Sequence, residues 1–117
     1  MNPYQILHDK LAALEDKRLA KEALWDYGLK CGCAIGQVIP HEVRDGAQIA
    51  AFSIGPHGFS WRSDAIRDHL SGMGFTVKFV TEIQEVNDHY DHTDQTPEER
   101  YERVLRYLKE KSNEASQ

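Results

Sequence analysis

The segment Thr96-Pro97-Glu98-Glu99 defines the start of a helix more firmly than any other part of this chain. A threonine hydroxyl can accept a hydrogen bond from the third backbone amide of a helix, proline suits the first helical position, and a glutamate at the third position can reach back to the threonine amide. An apolar stripe follows at helical spacing, made of Tyr101, Val104, Leu105 and Leu108. The sequence therefore predicts a closing amphipathic helix with Thr96 and Glu99 in structural, capping roles.

The rest of the chain combines helical and strand-like patterns. Apolar residues recur at helical spacing from Tyr4 to Leu14, and the short apolar segment Cys33 to Ile39 is typical of a buried helix. The run from Ala47 to Ile54 ends in a turn signal, Gly55-Pro56-His57-Gly58, and predicts a small hairpin. Phe75 to Phe79 alternates as a half-buried strand does. We therefore expect an α+β fold dominated by helices, with about four to five helices and a β-hairpin or short sheet.

The length of the chain predicts a single compact domain. A chain of 117 residues is long enough to bury a core of its own. Residues 112–117 contain no large apolar side chain that could anchor them. We expect the domain to span residues 1–111 and residues 112–117 to form a frayed tail.

The charge balance argues against nucleic acid as a partner. The chain has 14 lysines and arginines against 19 aspartates and glutamates, a net charge of -5, and an acidic surface repels a phosphate backbone. No apolar run approaches the roughly 20 residues that a membrane-spanning helix needs. The first residues also lack the basic and apolar regions of a signal peptide. We therefore predict a cytoplasmic protein that does not enter a membrane.

The hexapeptide CGCAIG contains the two cysteines of the chain, Cys31 and Cys33. A disulfide across one intervening residue would be strained, and the cytosol is reducing, so we expect two thiols. Cys33 at the start of a helix could act as a nucleophile if a histidine lay beside it as a base. Because no nucleophile-plus-base pattern is recognisable, the sequence favours packing instead, with Gly32 and Gly36 at places where another backbone approaches closely.

The polar stretch that follows Asn87 contains the candidate metal ligands. His89 and His92 are three residues apart, and Asp88 and Asp91 supply carboxylates beside them. These side chains could bind zinc or another divalent metal and support a hydrolytic enzyme. No established ligand pattern such as H-E-x-x-H is present. The interpretation that we favour is a solvated loop without a cofactor, and a metal site is the alternative.

Three short motifs resemble those of small uncharacterised proteins of phages, prophages and bacteria. The motifs are Cys33-Ala34-Ile35-Gly36, Val86-Asn87-Asp88 and Thr96-Pro97-Glu98-Glu99. They follow the order in which those proteins carry a C-x-L-G segment, an N-D step and a C-terminal helix. This chain departs from the pattern in its longer loop, His89 to Gln95.

The resemblance implies structural roles for four residues and implies no activity. Cys33 and Gly36 would serve close packing. Asn87 and Asp88 would cap a helix or turn the chain.

The sequence favours a non-enzymatic, phage- or prophage-like protein that binds another protein as an interaction, inhibitory or regulatory partner. It shows no catalytic pattern, its surface is acidic, and its aromatic residues could form an apolar patch. Whether the chain is an enzyme stays open. One alternative is the metal-dependent hydrolase above, and another is a small-molecule binder whose pocket is lined by His57, Trp61 and the cysteine segment.

The N-terminal region also suggests a homo-oligomer. Leu7, Leu11 and Leu14 face one side of a helix, and the apolar residues from Leu19 to Tyr27 face nearly the opposite side. Either the helix breaks near Glu15 to Arg18, or it lies between two partners. A stripe without a partner in its own chain could pack against a second copy.

Overall fold

The computed structural model describes residues 2–20, 28–40, 42, 64–88 and 95–115. Five helices lie in these ranges: α1 (Pro3–Ala12), α2 (Ala34–Val38), α3 (Asp64–Gly72), α4 (Val77–Asn87) and α5 (Pro97–Ala115). No strand occurs in these ranges, so the expected α+β fold is wrong for the described part of the chain, which is helical. The predicted hairpin, Ala47 to Trp61, lies outside the described residues.

The segment from Phe75 to Phe79 shows why the predicted strand is wrong. Phe75 and Phe79 are both buried, but Val77 between them is 55% exposed, whereas a half-buried strand would bury all three. Phe75 lies just before α4 and Phe79 lies in its first turn, so the two buried rings span the start of a helix and not one face of a strand. Thr76 sets this helix start, because its Oγ1 accepts a hydrogen bond from the Phe79 backbone amide at 3.1 Å and caps α4.

Helix α1 packs against α5, and this contact forms much of the core. Asn2 caps α1 by accepting a hydrogen bond from the Gln5 amide at 2.8 Å. Leu7 and Leu11 are fully buried, and the Tyr101 hydroxyl of α5 donates to the Leu11 carbonyl at 3.0 Å. The leucine stripe therefore has its partner within the same chain, which removes the reason for expecting it to pack against a second copy.

The N-terminal region breaks rather than continuing as one helix. Helix α1 ends at Ala12, and residues 13–20 are not helical. The Lys17 ammonium donates to the Ala12 carbonyl at 2.6 Å and so caps the C-terminal end of α1. Leu19 and Ala20, the described residues of the second apolar set, are fully buried in a non-helical segment, so they do not continue the helix that carries the first set.

The core contains residues of all five described helices and of the connection after α1. Its buried residues are Leu7, Leu11, Leu19, Cys33, Ala34, Ile35, Ile39, Leu70, Phe75, Phe79, Val80, Ile83, Tyr101, Val104 and Leu108.

None of the described helices is both long enough and apolar enough to span a lipid bilayer.

The predicted domain boundary at residue 111 falls inside α5. This helix continues to Ala115, and the buried Ser112 hydroxyl donates to Gln5 Oε1 at 2.7 Å. The last turns of α5 are thus joined to α1.

Candidate functional site

The cysteine motif and the N-D step meet at the start of α2. Cys33 is the N-cap of this helix, and its Sγ accepts a hydrogen bond from the Gly36 amide at 3.4 Å. Asn87, the last residue of α4, accepts a hydrogen bond from the Ala34 amide at 3.0 Å through Oδ1. Backbone amides in the first turn of a helix have no partner within the helix. Here a thiol and a carboxamide from two distant parts of the sequence supply those partners.

The Asn87 side chain also donates to two further groups. Its Nδ2 donates to the Ala20 carbonyl at 2.9 Å and to Asp88 Oδ1 at 2.8 Å, and the residue is only 1% exposed. One carboxamide therefore links α4, α2 and residues 16–20, which we call the connecting segment. Both a donor and an acceptor are needed at this position, and a carboxamide provides both.

Three successive carbonyl oxygens of the connecting segment, at positions 18, 19 and 20, each accept a hydrogen bond from the side chain of a different helix. The donors, in that order, are Gln37 of α2 at 3.1 Å, Arg100 of α5 at 2.7 Å and Asn87 of α4 at 2.9 Å. Buried backbone carbonyls must be hydrogen-bonded if they are not to destabilise the fold. These three side chains therefore satisfy the carbonyls of a non-helical segment whose Leu19 and Ala20 are fully buried.

The sequence predicts that another backbone approaches closely at Gly32, and the connecting segment forms a backbone hydrogen bond there. The Ala20 amide donates to the Gly32 carbonyl at 2.8 Å, and the Gly32 amide donates to Gln37 Oε1 at 2.9 Å. Gly36 is buried within α2. The connecting segment thus runs directly beside the cysteine motif.

We call the meeting point of α2, α4 and the connecting segment the junction, and two arginines of α5 contact it. Arg100 is 5% exposed, and burial lowers the pKa of its guanidinium, an effect that the nearby Asp88 opposes. Arg103 donates to the backbone carbonyls of Val86 and, at 3.1 Å, of Asn87. These carbonyls belong to the C-terminal end of α4, where a cation interacts favourably with the helix dipole. Both arginines therefore have a structural role that the sequence did not reveal.

The environment of Cys33 suppresses its reactivity. The residue is 3% exposed, and burial raises the pKa of its thiol to about 12, despite the opposing hydrogen bond from the Gly36 amide. The thiolate is the nucleophilic form of cysteine, so at neutral pH Cys33 is a protonated, weakly nucleophilic thiol. Cys31 is also buried, and neither cysteine forms a disulfide.

Of the four candidate metal ligands, the structure describes only Asp88, which accepts a hydrogen bond from Asn87. His89, Asp91 and His92 lie outside the described residues. Within residues that are described, no three His, Cys, Asp or Glu side chains are grouped as metal ligands would be. The zinc site stays an untested alternative, as does the pocket at His57 and Trp61, two residues that are also outside the described part.

Thr96 and Glu99 form a reciprocal pair at the start of α5. The Glu99 amide donates to Thr96 Oγ1 at 3.1 Å, and the Thr96 amide donates to Glu99 Oε1 at 3.0 Å. The hydrogen bond from the Thr96 amide, reinforced by the Thr96 side chain, lowers the pKa of the Glu99 carboxyl. The pair fixes where α5 begins and hence where Arg100 and Arg103 lie.

A second polar cluster, centred on Glu82, was not predicted from the sequence. The Tyr4 hydroxyl donates to Glu82 Oε1 at 2.8 Å, and the Tyr107 hydroxyl donates to Glu82 Oε2. Burial, reinforced by Glu82, raises the pKa of Tyr4 to about 12 and also raises that of Tyr107. The cluster joins α1, α4 and α5. No local pattern signals a pairing between residues so far apart in the sequence.

Gln84 differs from the other buried polar side chains in the described ranges. It is 2% exposed, and neither its Oε1 nor its Nε2 has a hydrogen-bond partner. Asn87, Arg100 and Ser112, in contrast, are all hydrogen-bonded. The carboxamide of Gln84 therefore destabilises the fold without contributing to the junction one turn away.

Comparison of the chain with protein-family models, curated proteins and solved structures gives no significant match.

Proposed function

We propose that this chain is a non-enzymatic protein that acts by binding another protein, as an interaction or inhibitory partner. The observation that carries the proposal is the state of Cys33, a buried, protonated thiol that caps α2. Asn87, which belongs to the other motif, is likewise fully engaged within the fold. Cys33, the candidate nucleophile, thus serves the structure, and this supports a function at the surface.

The outer side of α5 is the surface that we propose for binding. It is the longest of the described helices, and its inner side is fixed against α1, so it offers a rigid surface that loses little entropy on binding. Its first turns are acidic and exposed at Glu98, Glu99 and Glu102. An acidic surface on a chain of net charge -5 favours a partner with a basic surface.

A phage or prophage origin and a cytoplasmic location are part of the same proposal. The origin rests on the resemblance of the three short motifs. The location is supported by Cys31 and Cys33, two buried thiols without a disulfide, which suit a reducing compartment.

Capture from a bacterial lysate on the immobilised protein tests this proposal. We expect the wild type to retain a partner in stoichiometric amount, and a Glu98→Lys/Glu102→Lys variant to lose it, because the acidic surface is reversed. Asp68→Lys/Glu85→Lys changes the net charge equally at exposed positions of α3 and α4, and it should retain the partner. Circular dichroism establishes that each variant is folded.

Cys33→Ala separates binding from chemistry in the same assay. Because the thiol is protonated and buried, we expect this variant to capture the partner as the wild type does. The proposal is wrong if the folded wild type captures no stoichiometric partner. It is also wrong if a folded Cys33→Ala variant loses function, since the thiol would then have a chemical role.

A further inference from the structure

We draw no further inference here: the strongest candidate, the buried Gln84 carboxamide in the middle of α4, is an unpartnered polar side chain, but no second unpartnered buried side chain accompanies it in the described ranges, and nothing there shows what would bind to it.

Discussion

At the C-terminal end of α4 the Asn87 carboxamide makes three hydrogen bonds, whereas one turn earlier the equally buried carboxamide of Gln84 makes none. The two side chains share a chemical group, a helix and nearly the same exposure. They differ in what surrounds them. Asn87 lies where α2 begins and the connecting segment passes, so backbone groups without helical partners are nearby. Gln84 lies mid-helix, where the backbone groups of α4 bond to one another. Whether a buried carboxamide stabilises the fold therefore depends on whether backbone groups without helical partners lie within hydrogen-bond distance of it.

The largest effect should come from Asn87→Leu. This change leaves the Ala34 amide and the Ala20 carbonyl buried without partners, at about 2 kcal/mol each, so unfolding free energy should fall by about 4 kcal/mol. Urea unfolding followed by circular dichroism measures the loss. A loss below about 1 kcal/mol would mean that the junction can be rebuilt without Asn87.

Leu11→Ala gives the loss of unfolding free energy from an apolar contact, for comparison with that of Asn87→Leu. Leu11 is fully buried and lies in the contact between α1 and α5. Its truncation should cost about 3 kcal/mol through lost burial and the cavity left behind, measured in the same urea titration. If Leu11→Ala is more destabilising than Asn87→Leu, the apolar contact and not the polar junction dominates stability.

Gln84→Met should have the opposite sign to Asn87→Leu. Methionine fills a similar volume without a polar group, so the variant should gain roughly 1 kcal/mol and unfold several degrees higher than the wild type. Differential scanning calorimetry measures the shift. A destabilised Gln84→Met variant would show that the carboxamide is hydrogen-bonded in solution.

A further effect, confined to alkaline conditions, should appear as a pH dependence of stability. Burial raises the pKa of Cys33 from 9.0 to about 12 and that of Tyr4 from 10.0 to about 12. The unfolded chain then releases these protons at lower pH than the folded chain does. Stability should therefore be complete below about pH 9 and fall progressively towards about pH 12. Urea midpoints measured across that range detect the decline.

A Cys33→Ala/Tyr4→Phe variant is the control for this pH dependence. It removes both groups, so its urea midpoints should change less with pH than those of the wild type. An equal slope in the two proteins would assign the decline to other residues.

The parts of the fold that could be predicted from the sequence are those set by neighbouring residues. The cap formed by Thr96 and Glu99 depends on a spacing of three residues, which the sequence displays directly. The strand expected at Phe75 to Phe79 was wrong because the alternation of apolar residues there crosses a helix start, which the capping role of Thr76 sets.

The candidate site could be predicted only as separate pieces. The resemblance implied structural roles for Cys33 and Asn87, but no local signal joins the two motifs, whose contact spans 53 positions. The roles of Arg100 and Arg103 were missed for the same reason. Their partners are backbone carbonyls, which every residue carries and which therefore leave no mark in the sequence.

The connecting segment has a consequence for the order in which the chain can be assembled during synthesis. Residues 18–20 leave the ribosome early, yet their carbonyls are held by Gln37, then Asn87 and finally Arg100. The connecting segment is made before the helices that bond it, and α5 must emerge before the segment is fully bonded. Until then its apolar side chains, including Leu19, are exposed to other chains.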